Sequence, residues 1–510
     1  MPTRASTNSA RKRRSIEQRE MAGEILSAPP RVAKGSWGDR SLVKIAGPKI
    51  RRICRGETFQ MTLDVERGDR FFCRGVARFA PWCLSLIFSF GLYACGNNNS
   101  GMTLTGGSTA VATYCGSACT YSLPSSFNSG VSGPTIDSSG NVWLYSSSEI
   151  VELPKGNASD QITFCNSGCN YSFNPGTNSL SGLAINPKTG DLWIGTNNTS
   201  NSSLARNGTV IEIPKTSSGY GAAVTYCYSG CTVSLSSLTD SDYIYSTGNI
   251  TSDPKGNVWM AAYNGNSDSL FFMKIPYTGA SYGTAALIAS TLPSGSTLQS
   301  IVGLTSDAVG NVWLAASFYN SSTGNFNNNT IVLEYPSGTS PPTTFCSTGG
   351  GCTHTVSLNN QSSSYNNNSF SFLSSDPTDT TTGSIWVDNG SNILKISANG
   401  TVSSSVSNWS FPNYSNGGGI AVDSKGNVWV VETSPYINGT ASSGIVTEYV
   451  VSTQSFNYYC SPGMLSDNSP CNHYIASIKN PSNIAIDLSG TGNVWVQNSG
   501  WVTELIGAAQ

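Results

Sequence analysis

Residues 252–262 read SDPKGNVWMAA, and the four letters GNVW inside that stretch return at 140–143, 310–313, 426–429 and 492–495. Two looser copies, GDLW at 190–193 and GSIW at 383–386, bring the set to seven. Each copy follows a short apolar run that ends in Asp or Asn, as in NITSDPKGNVWMAA, GLTSDAVGNVWLAA and GIAVDSKGNVWVVE. An Asp at the start of a tight turn bonds the backbone two residues on, and Gly takes the left-handed conformation that a Cβ penalises. The Trp then opens the return strand, where a strand face gives it a large area to bury. GNVW therefore reads as a β-hairpin corner followed by the first core residue of the returning strand. On this reading Asp137, Asp253, Asp307, Asp423 and Asp487 are turn makers.

Two further strands follow each corner. The third reads GTVIEIP (208–214), TIVLEYP (330–336), GIVTEYV (444–450) or WVTELI (501–506), and a fourth ends at a Cys pair, as in AVTYC (223–227). Four strands per unit, with 43 to 73 residues between successive Trp positions, describe the blade of a β-propeller. The last unit has no room for a fourth strand after VTELI, and AVATYC at 110–115 stands unclaimed before the first corner. The first strand is expected to complete the last blade and close the ring, which removes both open sheet edges. The predicted fold is all-β: a seven-bladed propeller of four-stranded blades over residues 108–510.

Composition agrees. Only 11% of the 510 residues are charged and 53 are Gly, which suits many short strands and turns. Charge is unevenly placed. Residues 1–74 hold 17 of the 27 Lys and Arg, whereas from Cys95 onward nine basic residues face 21 acidic ones, a net of about −12. Phosphate binding needs clustered Lys and Arg, so no nucleic-acid partner is expected for the body.

Ahead of the body, residues 79–95 read FAPWCLSLIFSFGLYAC behind Arg74 and Arg78. The run is short for a bilayer span and suits the apolar region of a secretory signal. Its end, Leu92-Tyr93-Ala94-Cys95 followed by GNNNSG, resembles the bacterial lipoprotein lipobox, with Tyr93 bulkier than the family habit. That resemblance implies lipidation at Cys95, with Gly96 directing export to the outer membrane or cell surface. A plain cleaved signal and a retained anchor are the alternatives. Residues 1–73 read as a disordered basic extension, or as sequence translated from a misassigned start with Met61 as a candidate true one, 74–94 as the signal segment, and 95–107 as a polar tether.

Of 14 Cys, ten fall in close pairs: Cys115/Cys119, Cys165/Cys169, Cys227/Cys231, Cys346/Cys352 and Cys460/Cys471. An even number in exported sequence reads as a disulfide framework. Zinc is the competing reading, but its four ligands must converge, and these pairs belong to separate repeats beside only two His, His354 and His473. No metal is expected.

The repeats resemble the NHL-type propeller repeat and the seven-bladed streptogramin B lyases, whose repeats run D-x-x-G-N-L-W-F-T-E, over residues 108–506. The lyase family uses His and Glu on one face, with a magnesium ion, to open a lactone by elimination. Only Glu432 keeps the Glu of that run, and neither His matches a motif position; Glu432 and His473 are the catalytic candidates of this alternative. Outside it no cofactor is expected. A propeller also hosts unrelated functions.

In propellers of this build the second-to-third and blade-to-blade connections share one face, and the Asp-x-x-Gly corners lie on the other. The first face carries the long loops at 196–208, 317–329 and 432–444, together with the Cys pairs. Loops rich in Asn, Ser, Thr, Gly and Tyr offer neutral hydrogen bonds and aromatic platforms, with Tyr319 and Tyr436 as candidate contacts. The expected function is an exported module that binds a protein or a glycan. The recurring third-strand residues Glu152, Glu212, Glu334, Glu448 and Glu504 read as structural groups, or as a carboxylate ring that binds a cation.

Overall fold

The structure, a computed structural model, describes residues 109–173, 179–197, 209–227, 231–235, 242–264, 269–289, 296–320, 329–337, 342–346, 352–356, 358, 372–388, 392–407, 416–433, 444–461 and 471–509. Cys95, Tyr436 and the segments assigned to 1–107 lie outside them, as does the side chain of Tyr319. Seven antiparallel sheets, each a blade with one Trp corner, form a seven-bladed β-propeller. Blade 3, for example, runs from the axis outward as Asp242–Ser252, Val258–Asn264, Ser269–Ile275 and Ala286–Ala289. Blades are numbered here by the order of their Trp residues. Blade 7 closes the ring as expected: Ala110–Cys115 pairs antiparallel with Trp501–Ile506, placing Ala110 opposite Ile506 and Tyr114 opposite Val502.

Four strands per blade is corrected in five cases. Tyr121–Ser122, Tyr171–Ser172, Val233–Ser234, His354–Thr355 and His473–Tyr474 each add a short fifth strand, parallel to the fourth, at the outer edge. Those are the five blades with a Cys pair. Among the described residues, blades 3 and 5 have neither.

Packing explains why the Trp recurs. Trp143, Trp193, Trp259, Trp313, Trp386, Trp429 and Trp495 are all buried, and each joins a core cluster shared between its own blade and the next. Trp143 of blade 1 packs with Leu183 and Ile194 of blade 2; Trp495 of blade 7 packs with Val142 and Leu144 of blade 1. One large aromatic thus fills each interface, where its area is worth most. The core is seven wedges between sheets.

The corner holds that Trp in place. In blade 3, Asp253 Oδ1 accepts the backbone N–H groups of Lys255 and Asn257, both at 2.9 Å. Its Oδ2 accepts Asn257 Nδ2 at 2.7 Å and the Trp259 indole Nε1 at 2.9 Å. Asn257 Oδ1 in turn accepts the N–H of Tyr277 at 3.0 Å, tying the corner to the end of the third strand. The same set recurs around Asp137, Asp307 and Asp423. Blade 2 exchanges the two residues: Asn186 takes the turn N–H, and Asp191 receives the third-strand end through Lys215 N at 2.7 Å. Its Trp193 indole donates instead to the Tyr282 hydroxyl at 3.2 Å, which donates onward to Asp191 at 2.9 Å.

Neighbouring corners also interlock. A Cβ built on Gly383 would overlap Asp307 Oδ2 of the preceding blade, and one on Gly140 would stand 2.5 Å from Ser489 Oγ of blade 7. At Gly383, φ is +77°, so glycine is required there both for backbone conformation and for close approach.

Candidate functional site

The third-strand carboxyls do not ring a channel. Each lies directly opposite its blade's Trp, as Glu152 does to Trp143, Glu212 to Trp193, Glu334 to Trp313, Glu448 to Trp429 and Glu504 to Trp495. All five are buried. Tyr226 donates to Glu212 at 2.5 Å and Tyr114 to Glu504 at 2.7 Å, both from fourth strands. Tyr220 of blade 2 reaches across to Glu152 of blade 1 at 2.9 Å. Lys395 takes the Glu position in blade 5 and pairs with Asp376 at 2.6 Å, while Lys274 lies over the Trp259 ring in blade 3. These groups stitch blades together.

Blade 4 lacks the hydroxyl. Phe345 stands where Tyr226, Tyr114 and Tyr459 stand in blades 2, 7 and 6, and Glu334 Oε2 has no hydrogen-bond partner. Burial, with the Asp307 carboxylate adding to it, pushes the Glu334 carboxyl up to about 8. The unfolded chain releases this proton near its ordinary value of 4.5 while the folded chain keeps it to about 8, so stability falls as pH rises through that window. Glu334→Gln should therefore flatten the decline. In paired thermal melts, the variant's advantage over the natural protein should grow from pH 5 to 8 and level off above it. An advantage independent of pH would contradict this.

At the ends of the fourth strands, away from the corners, the expected cystines form: Cys115–Cys119, Cys165–Cys169, Cys227–Cys231, Cys346–Cys352 and Cys460–Cys471, with Cα atoms 5.7–5.9 Å apart. In four of the pairs the two members have different surroundings, and in the fifth Cys165 and Cys169 are both half-buried. Cys115, Cys227, Cys346 and Cys460 end their strands buried, whereas Cys119, Cys169, Cys231, Cys352 and Cys471 sit beyond the strand and are half-buried. Each second Cys starts the return of the chain beside its own fourth strand.

Each bridge thus closes a hook of one design. The carbonyl of the first Cys accepts an N–H from the far side of the hook: Leu123 to Cys115, Phe173 to Cys165, Leu235 to Cys227, Val356 to Cys346 and Ile475 to Cys460, at 2.8–2.9 Å. The residue after the second Cys stands in for a ladder partner. Thr120, Asn170, Thr232, Thr353 and Asn472 each accept, through a side-chain oxygen, a fourth-strand N–H. The next residue stacks outward on a fourth-strand aromatic, as Tyr121 does on Tyr114, Tyr171 on Phe164, His354 on Phe345 and His473 on Tyr459, with centroids 4.6–5.2 Å apart. Sequence reasoning missed this fifth strand. Its signal is the run that begins at each second Cys: CTYS from Cys119, CNYS from Cys169, CTVS from Cys231, CTHT from Cys352 and CNHY from Cys471.

Both His residues therefore occupy one equivalent position in the hook. His473 has its pKa lowered by burial, and the His354 ring is covered by blade 5, because a Cβ on Gly400 would overlap it. Glu432 is buried at the end of the second strand of blade 6 and accepts the Thr447 hydroxyl at 3.1 Å. Strand pairing puts His473 on the same face of blade 6 as Tyr459 and Trp429, the face that packs on blade 7. Glu432 points to the other face, with Val430, toward blade 5. The two candidates of the lyase reading are not brought together.

Among the described residues one group of metal-ligating side chains lies close, Glu149 with Cys165 and Cys169. The two sulfurs are bonded to each other, which removes the thiolates that metal ligation needs. Among the described residues no helix is long and apolar enough to cross a membrane.

No known protein family matches the chain, and no curated protein matches it. Solved structures do. A gluconolactonase of Xanthomonas campestris matches at 14% identity and a TM-score of 0.34, covering 65% of this chain and 86% of that one. The GH74 enzyme of Niastella koreensis matches at 15% identity and 0.44, covering 80% and 55%. Polysaccharide lyase Uly1 matches at 9% identity and 0.40, covering 74% and 89%. These are likenesses of fold.

Proposed function

We propose that this protein is an exported surface lipoprotein, tethered through Cys95, whose propeller binds a protein or glycan on the cystine-bearing face. One contrast supports the choice of face. On the corner face both carboxylate oxygens of Asp137, Asp253, Asp307 and Asp423 are engaged within the corner, so the repeated polar groups there are occupied by the fold itself. The five disulfide hooks stand at the other ends of the strands, where the long connections at 196–208, 317–329 and 432–444, largely outside the described residues, are expected, and loops held on a rigid scaffold are where recognition concentrates. Cystines also fit an oxidising compartment outside the cytosol.

Glycan arrays and pull-downs with the purified chain test the reading. Tyr319→Ala and Tyr436→Ala are expected to weaken binding about tenfold or more each, the effect of losing an aromatic contact at a binding centre. Undiminished binding by both variants would remove the face assignment. Independently, Cys95→Ser should abolish labelling by a fatty-acid probe, and a variant still labelled would remove the tether.

A further inference from the structure

We propose that the corner face is the side this protein lays against a lipid leaflet with anionic headgroups, a surface that rests on the tether through Cys95 and leaves the cystine-bearing face looking outward. Chain direction comes first. Ala110–Cys115 runs from the corner face, where Ala110 lies opposite Ile506, to the cystine at Cys115. A chain anchored at Cys95 therefore enters the propeller at the corner face of blade 7. Two apolar side chains are displayed at that same end of the blade: Ile506, 42% exposed, and Leu488 in the corner turn, 49% exposed. Exposed apolar groups at the place where lipid is nearest suit the boundary between headgroups and acyl chains.

Lysines flank the entry on both sides. Lys425 lies in the corner of blade 6, Lys155 between the third and fourth strands of blade 1, Lys188 and Lys215 in the two corner-face connections of blade 2, and Lys255 in the corner of blade 3. All five are exposed. Three of them form a continuous band: Lys215 Cγ covers Gly190, 3.5 Å from where its Cβ would stand, and Lys188 Cγ covers Gly256 at 3.2 Å, beside Lys255. Among the described residues one exposed Lys lies on the other face, Lys479 in the connection from blade 6 to blade 7.

The carboxyls of this sector are placed the other way. Asp191, Asp253, Asp423 and Asp487 are buried, Asp137 is held within its corner, and among the described residues Asp160 is the exposed one. The contact layer is therefore cationic, although from Cys95 onward the chain carries a net charge of about −12. An anionic leaflet repels most of such a molecule and attracts this layer, which fixes which side turns toward it. Screening limits that attraction to about 8 Å at physiological salt, so the face acts only when it lies on the headgroups. A soluble polyanion would meet the lysines and leave Leu488 and Ile506 in water, whereas a bilayer takes both.

Amine labelling of the full chain, read residue by residue by mass spectrometry, tests this. In vesicles of phosphatidylethanolamine and phosphatidylglycerol, Lys155, Lys188, Lys215 and Lys255 should react severalfold more slowly than in detergent, with Lys479 unchanged. Vesicles of phosphatidylcholine alone should protect them less, and so should Leu488→Ser/Ile506→Ser. The Cys95→Ser chain, added to the same anionic vesicles, reads the surface apart from the tether and should show the same pattern more weakly. Corner lysines as open on anionic vesicles as in detergent in both proteins, or Lys479 protected in their place, would overturn the proposal whatever a fatty-acid probe shows at Cys95. Protected corner lysines without probe labelling would overturn the tether and keep the surface.

Discussion

Asp253→Ala is expected to destabilise the protein by about 4 kcal/mol, because it strands several buried donors at once. The carboxylate accepts two backbone N–H groups, an amide and an indole. It is 2% exposed, so water does not replace it. Alanine leaves those four donors without partners and a void beside Trp259. Asp253→Asn keeps one acceptor oxygen but turns the other into a donor facing the Asn257 amide and the indole, and should cost about half as much. Urea denaturation checks both. A loss below ~1 kcal/mol for the alanine variant would mean that the corner is not the fixed network described.

Gly383→Ala is the second large effect, at about 3 kcal/mol. Two costs add. An alanine at φ +77° carries ~1 kcal/mol of backbone penalty, and its methyl would overlap Asp307 Oδ2 and meet Asn311 Nδ2 at 2.7 Å. Asp307 cannot yield readily, since it is already bonded to its own turn and to Trp313. Gly168 is the control: its φ is +80°, but a Cβ there meets nothing within 4 Å. Gly168→Ala should therefore show the backbone cost alone. Equal losses at the two sites would show that the corners of blades 4 and 5 do not interlock.

Much of this was legible in the sequence because the repeat is dense and each of its letters has a separate physical duty. The Asp, Gly and Trp of the corner, the third strand and the closing strand at 110–115 all follow from turn chemistry and from a count of strands against ends. The cystine pairing was legible as well, since each second Cys, from Cys119 to Cys471, lies within 11 residues of its partner. What stayed hidden depends on contacts between repeats. That Tyr220 of blade 2 serves Glu152 of blade 1 needs the distance across an interface, which no spacing encodes. The fifth strand was missed for a different reason. Two residues such as Tyr121–Ser122 carry no period, and their pairing depends on a disulfide hook that turns the chain back beside its own strand. The candidate site was only partly legible. Glu432 and His473 stand in the same blade, but the alternation of side chains across its strands sends them to opposite interfaces.

Hydrogen exchange, read by mass spectrometry on peptides from both ends of the chain, tests the closed ring most directly. Pairing of Thr113 with Thr503 makes the first strand part of blade 7, so amides at 111–114 should exchange as slowly as those at 502–505, and only through global unfolding. Amides at 111–114 that exchange at the rate of a free tail, while 494–498 remain protected, would contradict the closure and with it the arrangement of the hooks on one face.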